Sequence, residues 1–319
     1  MQQHVLVYTL CQGGIVFMPE VAVVADFGDL CGECPVWNAE SGVLEWIDCV
    51  GEKLLQLQWP SRQSAIKKSR LAISGFRHNR PGGYVITNSQ GVWIWDGAET
   101  FSSVVSEVDG RPCQVNDCVA DSAGRFITAT YSYDPAGEYR LGNLISVSTD
   151  GTVSVLDEGF HLANGLGFST DERTLYFSDS VARRIYSYQY DIRTGSVCNR
   201  HVLVEVSREE GMPDGLAVDA EGYIWSAQWY GGCIVRYDPD GKSILRIPVP
   251  AKQTSSLAFG GADLTDMFIT SAAQSEAIPV MPPGYDPKSG NFGGALYHVN
   301  LGIAGQLQHP ANIRLTKTI

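Results

Sequence analysis

The chain has 319 residues, of which 44% are hydrophobic and 18% are charged, and its formal net charge is −12. Because affinity for phosphates needs clustered lysine and arginine, this acidic balance argues against nucleic acid as a partner and favours a small or neutral substrate. No apolar run reaches the length of about 18 residues that a membrane span requires, so we expect no membrane contact.

Residues 1–17 lack a basic segment and an unbroken apolar stretch, so they do not have the pattern of a signal peptide. We interpret them as a loose N-terminal extension, with Met18 as the natural start, and residues 18–319 as one domain. Eight cysteines are too few to cross-link a chain of this length, which indicates reduced thiols and a cytoplasmic location.

Short apolar or alternating runs follow one another along the chain, and turn sequences separate them. With 34 glycines and 15 prolines, the composition also indicates many turns, and no helical periodicity of useful length is present. The predicted strands are 43–47, 53–58, 84–87, 92–95, 126–130, 144–148, 153–156, 174–178, 184–190, 223–227, 233–237, 267–270 and 295–299. The chain is therefore predicted to be all-β.

A polar residue recurs five positions before a small polar turn, and a mostly apolar bridge separates the two. The polar residues are Glu33, Asn116, Asn164 and Asp214, and Gly83 and Ser255 take the equivalent place in two further units. Units of about 40–50 residues with four strands each are typical of propeller blades. We therefore predict a six-bladed β-propeller with four-stranded blades. A β-sandwich would explain the strands but not the repeated polar position.

In a propeller, the leading end of each inner strand lies at one mouth of the central channel. Glu33, Asn164 and Asp214 would place two carboxylates and one amide oxygen there. This donor set suits one divalent ion, namely calcium, magnesium or manganese, with zinc or iron(II) less favoured. Three protein ligands leave coordination positions open for water and substrate, which indicates catalysis.

Motifs of other enzyme classes are absent from the sequence. No Gly-x-Ser-x-Gly elbow is present, so a hydrolase with a serine nucleophile is not supported. No phosphate-binding loop precedes a helix pattern, which argues against a nucleotide cofactor.

Four sequence blocks resemble one known family, which comprises gluconolactonase, regucalcin and senescence marker protein. The blocks are Gly-Glu-Cys-Pro-Val-Trp at 32–37, Val-Asn-Asp at 115–117, Ala-Asn-Gly-Leu at 163–166 and Met-Pro-Asp-Gly-Leu at 212–216. The resemblance covers nearly all of residues 20–300. It implies a six-bladed propeller and a metal-dependent lactonase, a hydrolase of carboxylic ester bonds that acts on sugar lactones.

The resemblance also assigns roles to individual residues. It implies that Glu33, Asn164 and Asp214 hold the metal, that Asp214 is the catalytic acid/base, and that Asn116 contacts the substrate. In this scheme the metal polarises the lactone carbonyl, and Asp214 takes a proton from the attacking water and delivers one to the ring oxygen. We expect Asn116 and Asp117 to hold sugar hydroxyls or to reach the metal through water.

The chain departs from the family pattern beside these residues. Gln114 stands where members often have arginine, so we expect a different set of substrate hydroxyls to be recognised around this predicted substrate-binding residue. Cys34 and Cys118 stand where glycine is common. They are expected to narrow the pocket or to tune the metal towards softer ions.

Two other functions are compatible with the sequence. One is a calcium- or ligand-binding propeller without turnover, and the other is a lactonase or esterase for a non-sugar substrate. Joint retention of Glu33, Asn116, Asn164 and Asp214 favours the enzyme. The protein is expected to be a monomer or a weak homo-oligomer.

Overall fold

The computed structural model describes residues 7–11, 14–18, 20–133, 139–274, 281–286 and 288–315. Within these ranges the regular structure consists of β-strands, and the predicted all-β class is confirmed. None of the described segments forms a helix that is long and apolar enough to cross a lipid bilayer.

The first two strands form a hairpin that pairs with none of the blade sheets. They are β1 (Val7–Cys11) and β2 (Gly14–Met18). The hairpin overlaps the segment that we predicted to be a loose extension, so its described part is folded as two paired strands. The choice of Met18 as the natural start stays a prediction.

The strands of the propeller form six antiparallel blades, which we number in chain order. Blade 1 contains β4 (Gly32–Asn38), β5 (Val43–Asp48), β6 (Lys53–Gln58) and β7 (Gln63–Ser69). Blade 2 contains β8 (Gly75–His78), β9 (Tyr84–Asn88), β10 (Gly91–Trp95) and β11 (Phe101–Val105). The short hairpin β12 (Glu107–Val108) and β13 (Arg111–Pro112) follows. Blade 3 contains β14 (Gln114–Ala120), β15 (Phe126–Tyr133), β17 (Gly142–Val147) and β18 (Val153–Phe160), with β16 (Tyr139–Arg140) paired to β15.

The second half of the ring continues this order. Blade 4 contains β19 (Ala163–Phe168), β20 (Thr174–Asp179), β21 (Arg184–Asp191) and β22 (Ser196–Glu205). Blade 5 contains β23 (Met212–Val218), β24 (Ile224–Trp229), β25 (Cys233–Tyr237) and β26 (Ser243–Pro248). Blade 6 contains β27 (Thr254–Gly260), β28 (Asp266–Ser271) and β29 (Ala295–Asn300), and its fourth strand is β3 (Ala22–Asp26) from the other end of the chain. The predicted six-bladed propeller with four-stranded blades is confirmed.

Apolar side chains pack between neighbouring blades rather than in one central core. In the described residues, each of the six blade pairs shares its own cluster of buried side chains. Blades 6 and 1 meet through Trp37, Trp46 and Phe268, and blades 3 and 4 meet through Phe160 and Phe177. This layered packing leaves the ring axis free for the polar ends of the inner strands.

The position of Gly83 corrects one sequence prediction. Gly83 lies in the turn before β9, whereas the inner strand of blade 2 is β8, which is preceded by Ser74. A Cβ atom at Gly83 would lie 2.2 Å from the backbone oxygen of Trp95, and the residue has φ of +70°. Glycine is therefore needed for close backbone approach in a turn, which is unrelated to the polar repeat.

The C-terminal segment, residues 303–315, crosses the channel mouth at which the inner strands end. The Gln306 Nε2 atom donates to the backbone oxygens of Val218 and Asp219 at 3.4 and 3.3 Å. Farther along, the Asn79 side chain donates to the oxygen of Ile313 and accepts from its N–H group. The segment thus links blade 5 to blade 2 and leaves the opposite mouth for the site.

Candidate active site

A change of register marks the inner strands at the predicted polar positions. In five of the six described inner strands the pairing with the second strand of the blade shifts there, which is the mark of a β-bulge. The shifts lie between Glu33 and Val36, Val115 and Cys118, Asn164 and Leu166, Pro213 and Leu216, and Thr254 and Leu257. A bulge adds a residue and redirects its side chain, so the same device serves several blades.

A cavity of about 750 Å³ opens at the mouth where the inner strands begin. Five of the six predicted site residues line it, namely Glu33, Gln114, Asn116, Asn164 and Asp214. They come from blades 1, 3, 4 and 5, so residues far apart in sequence meet around the ring axis. This volume suits a small-molecule substrate.

Asp117 does not line this cavity. Its carboxylate accepts a hydrogen bond from the N–H of Cys118 at 2.7 Å and lies beside the thiols of Cys34 and Cys118. Asn116 and Asp117 lie at the β-bulge of this strand, and their side chains have different surroundings. The position of Asp117 therefore does not support the predicted direct contact with substrate.

Ser255 also lies away from the cavity lining. Its hydroxyl donates to the backbone oxygen of Gly32 and contacts the Thr270 hydroxyl at 2.9 Å. The bond to Gly32 ties β27 of blade 6 to β4 of blade 1, and the Thr270 contact lies within blade 6. The equivalent position in blade 6 thus has a structural role in closing the ring.

A chain of hydrogen bonds fixes the amide of Asn164. The Asn116 Nδ2 atom donates to Asn164 Oδ1 at 2.7 Å, and Asn164 Nδ2 donates to the Ser180 hydroxyl at 2.8 Å. Ser180 in turn donates to the backbone oxygen of Pro213 at 2.7 Å, so its hydroxyl is committed as an acceptor for Asn164. The Asn164 amide is therefore oriented with Oδ1 towards Asn116 and Nδ2 towards Ser180.

The two carboxylates of the cavity lie in surroundings that disfavour negative charge. Burial raises the pKa of Asp214 well above its usual value, and the neighbouring Asp117 carboxylate raises it further. Burial and the Asp214 charge likewise raise the pKa of Glu33. The Asp214 side chain is 4% exposed and its Oδ1 atom has no hydrogen-bond partner. These two carboxyl groups have no compensating lysine, arginine or histidine among the described lining residues.

These features fit a divalent cation. The Oδ1 atom of Asp214 has no hydrogen-bond partner and is free to bind a cation. A cation would also offset the charge repulsion that raises the pKa values of Glu33 and Asp214. Together with Glu33 and the oriented amide oxygen of Asn164, Asp214 forms an all-oxygen set that hard ions prefer. The donor chemistry therefore agrees with the ligand set predicted from the sequence.

The cysteines that line the cavity are not the two that we expected to narrow it. Cys31 and Cys49 line the cavity, and their thiols are hydrogen-bonding neighbours. Cys34 and Cys118 are not among the lining residues and are 4% and 0% exposed. Sequence reasoning missed Cys31 and Cys49 because no motif joins residues on neighbouring strands. It also left Ser180 without a role.

The remaining cavity wall combines polar and apolar residues. Ser74, Asn88, Ser89 and Tyr131 contribute polar atoms from blades 2 and 3, and the apolar lining includes Leu30, Val50, Ile73, Leu162, Met212 and Trp229. Among the described lining residues, Glu33 and Asp214 are the acidic groups, and no lysine, arginine or histidine is present. The described part of the lining therefore offers no basic side chain to a phosphate or carboxylate group of a ligand.

Comparison with known proteins agrees with this geometry. The sequence model described as the SMP-30/Gluconolactonase/LRE-like region matches residues 31–273. The chain belongs to this family. The predicted family is thus confirmed, and with it the prediction of an enzyme of the gluconolactonase type.

Individual members of the family resemble the chain over most of its length. The pentonolactonase XacC of Haloferax volcanii is 34% identical over 297 residues, covering 92% of this chain and 99% of that protein. Regucalcin of Danio rerio is 33% identical over 256 residues, covering 79% and 87%. A solved regucalcin from Agrobacterium tumefaciens, described as a calcium-binding protein, is 26% identical with a TM-score of 0.78, covering 93% and 98%.

Proposed function

We propose that this protein is a metal-dependent lactonase that hydrolyses a sugar lactone to the aldonic acid. The observation that carries the proposal is the convergence of Glu33, Asn116, Asn164 and Asp214 on one cavity from four blades. The similarity to a protein named pentonolactonase supports the choice of a sugar lactone. Buried carboxyl groups with raised pKa values are also typical of catalytic sites.

Glu33, Asn164 and Asp214 would hold one divalent ion, whether calcium, magnesium, manganese, zinc or iron(II). Such an ion supplies Lewis-acid polarisation of the lactone carbonyl when it is bound. The hard oxygen donors favour the first three ions, and the calcium-binding description of a solved relative points in the same direction. The thiols of Cys31 and Cys49 at the cavity wall extend the choice to softer ions.

Asp214 is proposed as the general acid/base. Its carboxylate takes a proton from the water that attacks the lactone carbonyl, and it returns a proton to the ring oxygen when the ester bond breaks. Burial, which raises the pKa of Asp214, brings it closer to neutral pH, whereas a bound cation acts in the opposite direction. The balance of these two effects would let one carboxyl serve in both steps.

The substrate is proposed to be a neutral lactone with several hydroxyl groups. Gln114 and Asn116 can each donate and accept hydrogen bonds, and Ser74 and Asn88 extend this polar wall. A phosphorylated or acidic lactone would bring a negative charge next to Glu33 and Asp214 without meeting a basic group among the described lining residues. The apolar wall around Met212 and Trp229 can contact the carbon face of the ring.

The test uses metal-free protein that is reconstituted with one ion at a time and assayed by pH-stat against a panel of aldonolactones. We expect metal-dependent acid release from at least one neutral lactone. The variant Asp214→Asn should lose about a hundredfold or more of this rate, since it cannot exchange the proton. The control is Asp263→Asn, which changes an exposed carboxylate of blade 6 and should keep the full rate.

Three outcomes would overturn the proposal or one part of it. Metal binding without acid release from any lactone would favour a calcium- or ligand-binding propeller. Acid release that persists in Asp214→Asn would remove the assigned acid/base role. Activity confined to non-sugar lactones would replace the sugar with another ester substrate at the same site.

A further inference from the structure

Two thiols and a carboxylate meet next to the cavity, among residues that do not line it. The sulfur atoms of Cys34 and Cys118 and a carboxylate oxygen of Asp117 all lie within 4.8 Å of one another. Cys34 belongs to β4 of blade 1, whereas Asp117 and Cys118 belong to β14 of blade 3. They meet next to β8 of blade 2, where the N–H of Phe76 donates to the Cys34 sulfur at 3.4 Å.

The spacing of the three donor atoms suits a small tetrahedral ion. With bonds of about 2.3 Å to sulfur and about 2.0–2.2 Å to oxygen, tetrahedral ligands lie roughly 3.3–3.8 Å apart. Because the three atoms lie within 4.8 Å of one another, they would need to approach by at most about 1.0–1.5 Å. Two sulfur donors favour zinc and similar thiophilic ions over calcium and magnesium.

The charge of the surroundings also suits a divalent ion. The guanidinium of Arg77 is 6% exposed, and its Nη1 atom lies 3.3 Å from the Cys34 sulfur and 3.9 Å from the Cys118 sulfur. An ion that displaces both thiol protons would meet two thiolates and one carboxylate, whose three negative charges exceed the single positive charge of Arg77 by two. One divalent ion would balance the remaining two, and buried charges need such compensation.

We propose that Cys34, Asp117 and Cys118 form a second metal site, which takes a thiophilic divalent ion of the zinc type. Binding releases the two thiol protons to solvent and leaves the ion bonded to two sulfurs and one oxygen. The ion ties β4 directly to β14, the two strands whose bulges present Glu33 and Asn116 to the cavity. This site is separate from the Glu33, Asn164 and Asp214 set, and it does not depend on the lactonase proposal.

The test follows cobalt(II) binding to metal-free, reduced protein through the thiolate-to-cobalt charge-transfer absorption. Two matched double variants each remove a neighbouring pair of thiols. Cys34→Ser/Cys118→Ser should abolish the band, whereas Cys31→Ser/Cys49→Ser, which removes the pair at the cavity wall, should retain it. Glu33→Gln should also retain the band, since its side chain belongs to the other ligand set.

A further variant keeps every thiol, so it tests the site even if the serine variants fold poorly. Asp117→Asn has nearly the same shape as the native residue but lacks the charge, and we expect cobalt affinity to fall about tenfold or more. The proposal is overturned if the native protein shows no thiolate band or if the band disappears only in Cys31→Ser/Cys49→Ser. It is also overturned if Asp117→Asn binds cobalt as tightly as the native protein.

Discussion

The amide group of Asn164 shows how a single neighbouring residue can decide whether a ligand atom faces the right way. An amide can present either its oxygen or its nitrogen, and only the oxygen can bind a cation. Ser180, which is 1% exposed, accepts the amide N–H while its own proton is used by the oxygen of Pro213. Ser180 is therefore a positioning residue for the proposed metal ligand.

We expect Ser180→Ala to weaken divalent-metal binding by about 10–100-fold, because loss of the hydroxyl frees the Asn164 amide to rotate. Isothermal titration calorimetry of the metal-free protein measures this effect. Ser178→Ala is the matched control, since Ser178 lies two residues earlier in β20 and its buried hydroxyl has no hydrogen-bond partner. Equal metal affinity of the two variants would contradict the positioning role.

Asp29 gives a prediction for the dependence of stability on pH. The residue is 2% exposed, and burial raises the pKa of its carboxyl to about 6 from 3.8. Between these pH values the folded state keeps a proton that the unfolded state has released, so the free energy of unfolding falls as pH rises. The fall over the whole range is about 3 kcal/mol.

Asp29→Asn removes this titration and keeps an oxygen for the Trp46 indole, which donates to Asp29 at 2.8 Å. Urea unfolding at intervals from pH 4 to pH 8 should show the variant gaining stability relative to the native protein as pH rises. Asp26→Asn, an exposed change nearby, should alter the free energy of unfolding by less than about 0.5 kcal/mol. Parallel pH profiles for the native protein and Asp29→Asn would refute the prediction.

At the residue level, the sequence predicts those site residues that a β-bulge positions in the same way in several blades. Glu33, Asn116, Asn164 and Asp214 share a fixed distance to a turn because a bulge precedes the turn in each blade. The repeat spacing does not predict the surroundings of Asp117, because its distance from the turn does not say on which side of the bulge its side chain lies. Contacts between strands, such as that of Ser180 with Asn164, have no sequence spacing of their own.

At the element level, strand positions follow from alternation and turns, but the assignment of strands to blades depends on finding the repeat. In blade 2 the inner strand β8 has only four residues and carries no polar side chain at its start. The sequence repeat therefore points to the turn at Gly83 and not to β8. The C-terminal segment was also not predicted to close a channel mouth. It has little regular structure, and scattered hydrogen bonds and a few buried side chains such as Ile313 hold it to distant blades.

Asn79 holds that C-terminal segment through a pair of hydrogen bonds with Ile313, of 3.0 and 2.9 Å. Asn79→Ala would leave the buried N–H and oxygen of Ile313 without partners, so we expect a loss of about 2–4 kcal/mol in the free energy of unfolding. Urea unfolding measures the loss, and faster amide exchange at Ile313 would locate it.

Asn312→Ala provides the comparison for this prediction within the same segment. The buried Oδ1 atom of Asn312 has no hydrogen-bond partner, and its backbone bond to Gly124 does not need the side chain. We expect a change below about 0.5 kcal/mol. If the Asn79 and Asn312 variants were equally stable, the segment would not be held by the Asn79 contacts.

At the scale of the whole molecule, the ring is closed by strands from both ends of the propeller. β3, near the start of the chain, pairs with β29 through Leu296↔Ala25 and three further residue pairs. Because each blade packs on two neighbours, opening blade 6 would disturb its interfaces with blades 5 and 1 together. The cavity lies on the ring axis, so its geometry depends on this closure.

Two deletions separate the role of β3 from that of the preceding hairpin. Deletion of residues 1–20 removes β1 and β2, which pair only with each other among the described strands, and should leave the melting temperature nearly unchanged. Deletion of residues 1–26 also removes β3 and its four residue pairs, so we expect a loss of about 2–6 kcal/mol. The uncovered edge of β29 should in addition promote association between molecules, which size-exclusion chromatography detects. Equal melting temperatures and elution for the two deletions would show that closure by β3 does not stabilise the ring.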